Sequence, residues 1–596
     1  MAEENFGVRN RSEQLELMGQ IVERSQKILA DFARNAKGAS AKSESPDPLN
    51  LVPVVLELTA KMMANPNALF QTQLSLWQDY ITLWQSTSKR MLGHPTDPVI
   101  EPARDDRRFR DPAWNDDAVF NVIKQSYLIT ARWLAEVMSD IDGLDDKTRQ
   151  KLDFYTRQFV DAMAPSNFVA TNPEVLRATL ETGGDNLLRG FNHLLADLDR
   201  GKGRLAINMT DPDAFEVGKN IATTPGKVVF QNDLIQLIQY EPSTDKVYKR
   251  PLLIIPPWIN KFYILDLQPK NSFIKYAVDQ GLTVFVISWV NPDSKHANKS
   301  FEDYMLEGPL AAMDAIEQAT GEADINAIGY CLGGTLLAAT LAYMAAKKDQ
   351  RIKAATFFTA LTDFEDPGEL GVFIDEEQLA SMDELMAEKG YLDGREMATT
   401  FNMLRANDLI WSFVVNNYLL GKEPFPFDLL YWNADSTRMP HAMHSFYLRE
   451  FYQNNKLVRP GGITLDGIPI DLRKIRIPVY MLSTKEDHIA PWASTYAATQ
   501  TFRGSTTFAL AGSGHIAGVI NPATSEKYGF WLNEKLPADP KDWLETATHH
   551  DGSWWPNWFG WIGRKSGAKV KARVPGKGKL KVIEDAPGSY VQIKAV

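Results

Sequence analysis

The rhythm of hydrophobic and polar positions changes along this chain of 596 residues. Over residues 13–34 apolar side chains recur every three or four positions. Leu17, Ile21, Ile28 and Phe32 share one face, with Glu23, Lys27 and Asp31 elsewhere. That spacing predicts an amphipathic helix. The polar stretch AKGASAKSESPDP at 36–48 reads as a flexible linker. From 49 to 224 the pattern is mainly helical, and Leu74, Trp77, Ile81 and Trp84 form one stripe. Such a stripe is expected to pack into a core or against another domain. A connector rich in Pro, Asp and Arg interrupts it at 93–115.

From residue 225 the period shifts to that of strands. KVVFQNDLIQLIQY (227–240) predicts two strands joined at Asn232-Asp233. Further strands are expected at 250–256, 281–289, 325–329, 352–358, 477–484 and 505–512, most of them separated by helical stretches such as 272–280 and 332–348. Strands alternating with helices imply an α/β fold with a mostly parallel sheet covered on both faces. The long interruption at about 361–474 is helical and rich in Met, Trp, Tyr and Phe, the size and place of a lid over an active site. The expected organisation is therefore 1–48, helix and linker; 49–224, a mainly helical domain; and 225–596, an α/β domain carrying the lid-like insertion and a Trp-rich, basic tail.

Composition narrows the function classes. Apolar content is 44%, charged content 23%, and the net charge is −11. A nucleic-acid binder held by overall positive charge is excluded. The N-terminus lacks the apolar core of a secretory signal, and no run reaches the roughly 18 apolar residues of a membrane span. The expectation is a reducing cytoplasm. The single cysteine, Cys331, rules out disulfides and CxxC metal or redox motifs, and no metal site is expected.

That cysteine carries the chemistry. Gly329-Tyr330-Cys331-Leu332-Gly333 is a G-x-C-x-G pentapeptide between a strand and a helix. It has the form of a nucleophile elbow with Cys in place of Ser. The fold then demands an acid after a later strand and a histidine after the last. The strand 477–484 is followed by Asp487, and 505–512 by His515 within SGHIAG. Glu486, adjacent to Asp487, and Asp366, after an earlier strand, are rival acids. In this order Cys331 is the nucleophile, His515 the acid/base and Asp487 its orienting partner. The oxyanion hole should use the backbone N–H of Leu332 and one from the loop after 250–256, near Trp258 or Ile259. A thiol attacking a thioester exchanges one thioester for another at near-equal energy, so the acyl group stays activated. That favours acyl transfer over hydrolysis.

GYCLGGTLLA, PPWINKFYILDLQPKNSF, VFVISWVNPD, STKEDHIAPW and GSGHIAGVINP together resemble the poly(3-hydroxyalkanoate) synthases, as do PVIEPARDDRRFRDPAWN, ATTPGKVVFQND and the tail motifs GSWWPNWFGWI and APGSYV. The resemblance runs from about residue 65 to the C-terminus and looks like class I, which works without a second subunit. It implies an α/β-hydrolase fold, polymerisation of short-chain (R)-3-hydroxyacyl-CoA such as 3-hydroxybutyryl-CoA with release of CoA, and no cofactor. It also implies a homodimer at the surface of a cytoplasmic polyester granule, with Cys331, Asp487 and His515 as the catalytic set. Asp266 and His488 are supporting candidates in shared motifs. Arg405, Trp432 and Asn433 are candidates for lining a substrate channel or for a structural role in the insertion. The helix 13–34 is a candidate contact for a granule-coat protein. Two readings compete: a Cys-dependent thioesterase or intracellular polyester depolymerase, and a granule-coating protein with an inactive hydrolase fold. The indoles Trp554, Trp555, Trp558 and Trp561 are expected to pack onto the catalytic domain rather than to touch polymer. The tail 563–596, with nine Lys/Arg against two Asp/Glu, reads as a solvated basic tail.

Overall fold

A computed structural model describes residues 66–104, 106–139 and 143–595. The expected helix at 13–34 and the linker at 36–48 lie outside the described residues. The chain divides into two compact units. One runs to Asp211 and takes in Phe401–Phe425; the other comprises Pro212–Thr400 with Pro426 onward.

The first unit is helical, with helices Pro66–Met91, Ala118–Ser139, Asp146–Ala162, Pro173–Glu181 and Asp185–Arg200. The Pro/Asp/Arg connector folds into it. Phe109 and Trp114 pack on Leu128, and Arg108 reaches Asp161 at 3.0 Å and the Tyr127 hydroxyl at 2.9 Å. Helix Pro66–Met91 meets Ala118–Ser139 through Leu83, which is buried, and a Tyr80–Thr130 hydroxyl contact of 2.9 Å. That face is not the aromatic stripe. Leu74, Trp77, Ile81 and Trp84 are 45–72% exposed, so the expected packing of this stripe is not found among the described residues. The reason is geometric: the helix has its helical neighbour on the face that carries Leu83.

Residues 401–425, expected as part of the insertion, belong to this unit. Asn186 donates to the Leu419 carbonyl at 2.8 Å, the Tyr418 hydroxyl donates to Asp197 at 2.6 Å, and Asn417 donates to the Asn208 carbonyl at 2.8 Å.

The second unit is built on an eleven-stranded sheet. In chain order the strands are β1 (Gly226–Gln231), β2 (Ile235–Tyr240), β3 (Leu252–Ile255), β4 (Val284–Trp289), β5 (Ile325–Tyr330), β6 (Ile352–Phe358), β7 (Val479–Thr484), β8 (Thr506–Ala511), β9 (Phe530–Leu532), β10 (Thr548–His550) and β11 (Glu584–Asp585). Across the sheet the order is β10-β9-β8-β7-β6-β5-β3-β4-β2-β1-β11. The six central strands, β8 to β4, are parallel, and both flanks are antiparallel. This is the mostly parallel sheet that the alternation predicts. Asn232 makes the β1–β2 turn by accepting the N–H groups of Leu234 and Ile235.

Side-chain alternation along each strand feeds two cores. Leu253, Ile255, Phe285 and Ile287 face one core, which the helix Leu332–Lys347 covers. Leu252, Ile254, Val284 and Val286 face the other. There Phe273–Asp279 and Trp555–Gly563 form the cover, and Trp554, Trp555, Trp558 and Trp561 are all buried. An indole takes roughly 150–250 Å² out of water, so this short helix is held by its own side chains. Burial on both faces is why the central strands read as unbroken apolar runs.

The tail is not a solvated basic extension. Lys569–Lys571 pairs with Lys246–Tyr248, Arg573 meets Glu322 at 3.1 Å, and β11 pairs with β1 at the sheet edge. Its charges are spread among backbone pairings that their count alone does not reveal.

Asn186→Ala tests the docking of 401–425 within the helical unit. It removes the amide that bonds Leu419 and leaves a part-buried carbonyl without that donor. The expected cost is about 1–3 kcal/mol, read as a lower Tm and faster limited proteolysis inside 401–425. Unchanged cleavage there would show that other contacts hold the segment.

Candidate active site

β5 ends at Tyr330 and the helix Leu332–Lys347 begins two residues later, so the chain must reverse within one residue. Cys331 is that residue, at φ 51° and ψ −119°. A non-glycine residue there is strained and persists only when its surroundings fix it. They do so by close approach. A Cβ on Gly333 would lie 2.0 Å from the Ile255 carbonyl oxygen, and one on Gly329 would lie 2.5 Å from the Gly334 Cα. The Cys331 N–H donates to the Phe358 carbonyl at the end of β6 at 2.9 Å, and Thr335 donates to the Leu361 carbonyl at 2.7 Å. The doublet Gly333-Gly334 was visible in the sequence, but only the contact distances show that its second member is also crowded.

The acid and the base come from the ends of β7 and β8. His515 Nδ1 lies 2.7 Å from Asp487 Oδ2. Asp487 Oδ1 accepts the N–H groups of Ile489 (2.9 Å) and Ala490 (2.8 Å), and Oδ2 also accepts the Thr484 hydroxyl at 3.1 Å. Both side chains are buried. Glu486 and Asp366 are exposed, and neither occupies this position. The two loops are joined by Lys485 N–H to the Ala511 carbonyl and Glu486 N–H to the Ser513 carbonyl. Tyr330 stacks on the imidazole with ring centroids 5.9 Å apart and donates its hydroxyl to the His515 carbonyl at 3.3 Å.

Burial by itself would drive the proton off His515. The charges of Asp487 and of the Cys331 sulfur outweigh it and raise the imidazole to about 10. The ring between the carboxylate and the sulfur thus keeps its proton well beyond the usual histidine range.

The backbone N–H of Leu332 opens the helix, and that of Ile259 lies in the loop after β3. Among the described residues neither is bonded to a backbone carbonyl. Side chains fix the Ile259 loop. Thr437 donates to the Trp258 carbonyl at 2.7 Å, Trp289 to the Pro256 carbonyl at 2.9 Å, and Trp432 Nε1 to the Lys261 carbonyl at 2.7 Å. Asn260 donates to the carbonyls of Trp432 and Asn433 at 3.4 and 3.3 Å. Trp432 and Asn433 therefore brace this loop.

The other candidates lie elsewhere. Asp266 is fully buried in a cage of hydroxyls, accepting from Ser272 (2.6 Å) and Thr224 (2.5 Å). Burial raises its carboxyl above the usual range against those bonds. Arg405 is exposed in the helical unit and pairs with Asp408. His488 is half-buried, and its carbonyl accepts the Glu369 N–H at 3.3 Å.

Sequence spacing gave no sign of Tyr447 and Tyr452. The insertion buries both in the core against which Cys331 packs. Burial first, with the Cys331 charge adding to it, keeps both phenols protonated. Among the described residues no group of three or more His, Cys, Asp or Glu side chains could hold a metal ion, and no helix is long and apolar enough to cross a membrane.

The family profile described as "Poly-beta-hydroxybutyrate polymerase (PhaC) N-terminus" matches residues 105–277, and the profile of the "alpha/beta hydrolase fold" matches 250–522. The "Poly(3-hydroxyalkanoate) polymerase" of Methylorubrum extorquens is 51% identical over 562 residues, 94% of this chain and 92% of that protein. The "Poly(3-hydroxyalkanoate) polymerase subunit PhaC" of Rhizobium meliloti (strain 1021) is 49% identical, covering 92% of this chain and 89% of that protein. The corresponding subunit of Cupriavidus necator is 42% identical, covering 91% of each.

The pair at His515 has a pH signature. An unfolded histidine titrates near 6.5, and folded His515 keeps its proton up to about 10. The stability this adds is complete below about pH 6.5 and is lost as pH rises through about 10. Denaturant unfolding of the wild-type chain and of His515→Gln at about pH 6, 8 and 10 should show the difference between them shrinking with pH. A difference that grows toward the alkaline end would contradict it.

Proposed function

This chain belongs to the poly(3-hydroxyalkanoate) polymerase family, and we propose that it polymerises (R)-3-hydroxyacyl-CoA through an acyl thioester on Cys331, with release of CoA. The observation that carries the reading is His515 held 2.7 Å from Asp487 beside the strained Cys331. The reading needs no resident cofactor, because the CoA ester brings its own activation.

The Cys331 proton passes to His515, and the thiolate attacks the thioester carbonyl. The tetrahedral oxyanion lies against the N–H groups of Leu332 and Ile259, whose donors are fixed before the charge develops. The carbon–sulfur bond to CoA breaks, and the leaving thiolate takes the proton from His515. The 3-hydroxyl of another unit then gives its proton to His515, and its oxygen attacks the acyl carbon on Cys331. A carbon–oxygen bond forms, the bond to the Cys331 sulfur breaks, and the proton on His515 neutralises that sulfur. Each cycle makes one ester and restores the site. Asp487 keeps the imidazole oriented throughout and stabilises its positive form.

The same reading takes in short-chain substrates such as 3-hydroxybutyryl-CoA, a homodimer, and the surface of a cytoplasmic polyester granule. A granule-coat protein bound through residues 13–34 is its outermost element.

Cys331→Ala should abolish both CoA release and polymer. Asp487→Asn should lower kcat about 10²–10⁴-fold, the range of general acid–base catalysis. Both are read by following free CoA and analysing the product with (R)-3-hydroxyacyl-CoAs of different length. Free hydroxy acid in place of polymer would favour the thioesterase or depolymerase reading.

A further inference from the structure

His515 sits in the connection between β8, which ends at Ala511, and β9, which begins at Phe530, and the chemistry needs its ring fixed between a thiol and a carboxylate. On one side β7 holds the loop: a Cβ on Gly518 would lie 2.4 Å from Thr484 Cγ2, the residue whose hydroxyl bonds Asp487. On the other side three consecutive residues near the C-terminus hold it. Trp554 Nε1 donates to the Gly518 carbonyl at 2.9 Å, Trp555 Nε1 to the Val519 carbonyl at 3.0 Å, and Ser553 Oγ to the Asn521 carbonyl at 2.5 Å. Ser553 Oγ also accepts the Trp555 N–H at 3.1 Å, so the triplet is itself held at the start of its helix. All three side chains are buried.

The same indole reaches the nucleophile's anchor. The Trp554 ring packs edge-on against Phe358 at 5.0 Å, and the Phe358 carbonyl accepts the Cys331 N–H. Phe358 packs on Tyr330 at 6.3 Å, and Tyr330 stacks on His515. A continuous path of contacts thus runs from the Trp-rich segment to both partners of the proton transfer.

We propose that Ser553, Trp554 and Trp555 are positioning residues for His515, setting its ring in register with Cys331. They touch no reacting atom. This rests on the reading of His515 as the base for Cys331. Buried carbonyls at Gly518, Val519 and Asn521 would lack donors without them, and such a loop relaxes to satisfy itself elsewhere. An ångström of drift in the ring costs proton transfer far more than substrate binding.

The test uses the full chain and exploits its single cysteine, whose alkylation by iodoacetamide is unambiguous by mass. The double variant Trp554→Phe/Trp555→Phe keeps an aromatic ring at each position, though a smaller one, and removes both N–H donors. The control is Trp558→Phe, which loses a buried indole bond of the same helix to Thr356 instead of the loop. The double variant should lose about tenfold or more in kcat with KM nearly unchanged. Its profile of alkylation rate against pH should also change, because the ring that takes the thiol proton is no longer held in place. Trp558→Phe should keep the wild-type profile. Ser553→Ala, a smaller change, should move the profile in the same direction and secures the result if the double variant does not fold. A double variant or Ser553→Ala with the wild-type profile, or one that Trp558→Phe reproduces, overturns the proposal. Because alkylation needs no acyl-CoA, a wild-type chain with a His515-dependent profile but no polymer would overturn the proposed function alone.

Discussion

Everything in the catalytic unit follows from one contact: the backbone at Gly333 lies against the carbonyl of Ile255, closer than any side chain permits. That approach forces a one-residue reversal after β5, and the reversal puts Cys331 in a conformation other residues avoid. The thiol is lifted clear of its own strand and left at a helix start, where free N–H groups favour negative charge. The adjacent strands β3 and β6 then carry the loop of Ile259 and the Phe358 carbonyl that anchors Cys331. The parallel order of the central strands decides which loops can meet at this end of the sheet. β7 and β8 follow β6 in the sheet, so Asp487 and His515 arrive in chain order from neighbouring strands. The strain at Cys331 is borne by this packing, which holds the half-buried thiol clear of the strand that precedes it.

The fold and the three central residues were legible because each left a local mark. Apolar runs bounded by turn residues marked the strands, and glycines two before and two after the cysteine marked the elbow. The sequence order favours Asp487 over its neighbour Glu486, and the structure shows the physical difference: only the former turns inward to collect two backbone N–H groups. What stayed hidden is what depends on distance along the chain. Tyr447 and Tyr452 join the core against which Cys331 packs from more than a hundred residues away, and no spacing rule connects them. The short flanking strands β9, β10 and β11 are too brief to show a period. The stripe of Leu74, Trp77, Ile81 and Trp84 shows the opposite case. Its periodicity implies the helix that is found, but an apolar face does not name what packs on it.

The insertion also taught something that its length alone could not. Its middle stretch, 401–425, is recruited by the helical unit through side-chain amides that cap its carbonyls, while its flanks stay with the sheet. Trp432, read as either a channel wall or a structural residue, serves by its indole N–H as a brace for the loop that carries Ile259. Polar atoms on large apolar side chains recur in this unit as the means of fixing loops: Trp289, Trp432, Trp554 and Trp555 each spend the N–H on a backbone carbonyl. A buried indole can fill space and orient backbone with the same group.

The return of the tail to the first strand also has a consequence in time. A chain is made from its N-terminus, and β1 gains its outer neighbour only when Glu584 and Asp585 have been added. Until then the sheet has an open edge at β1. While the chain is still on the ribosome, the thiol is already made but the sheet that frames it is unfinished, and the last strand to be synthesised closes the edge that the first one opened.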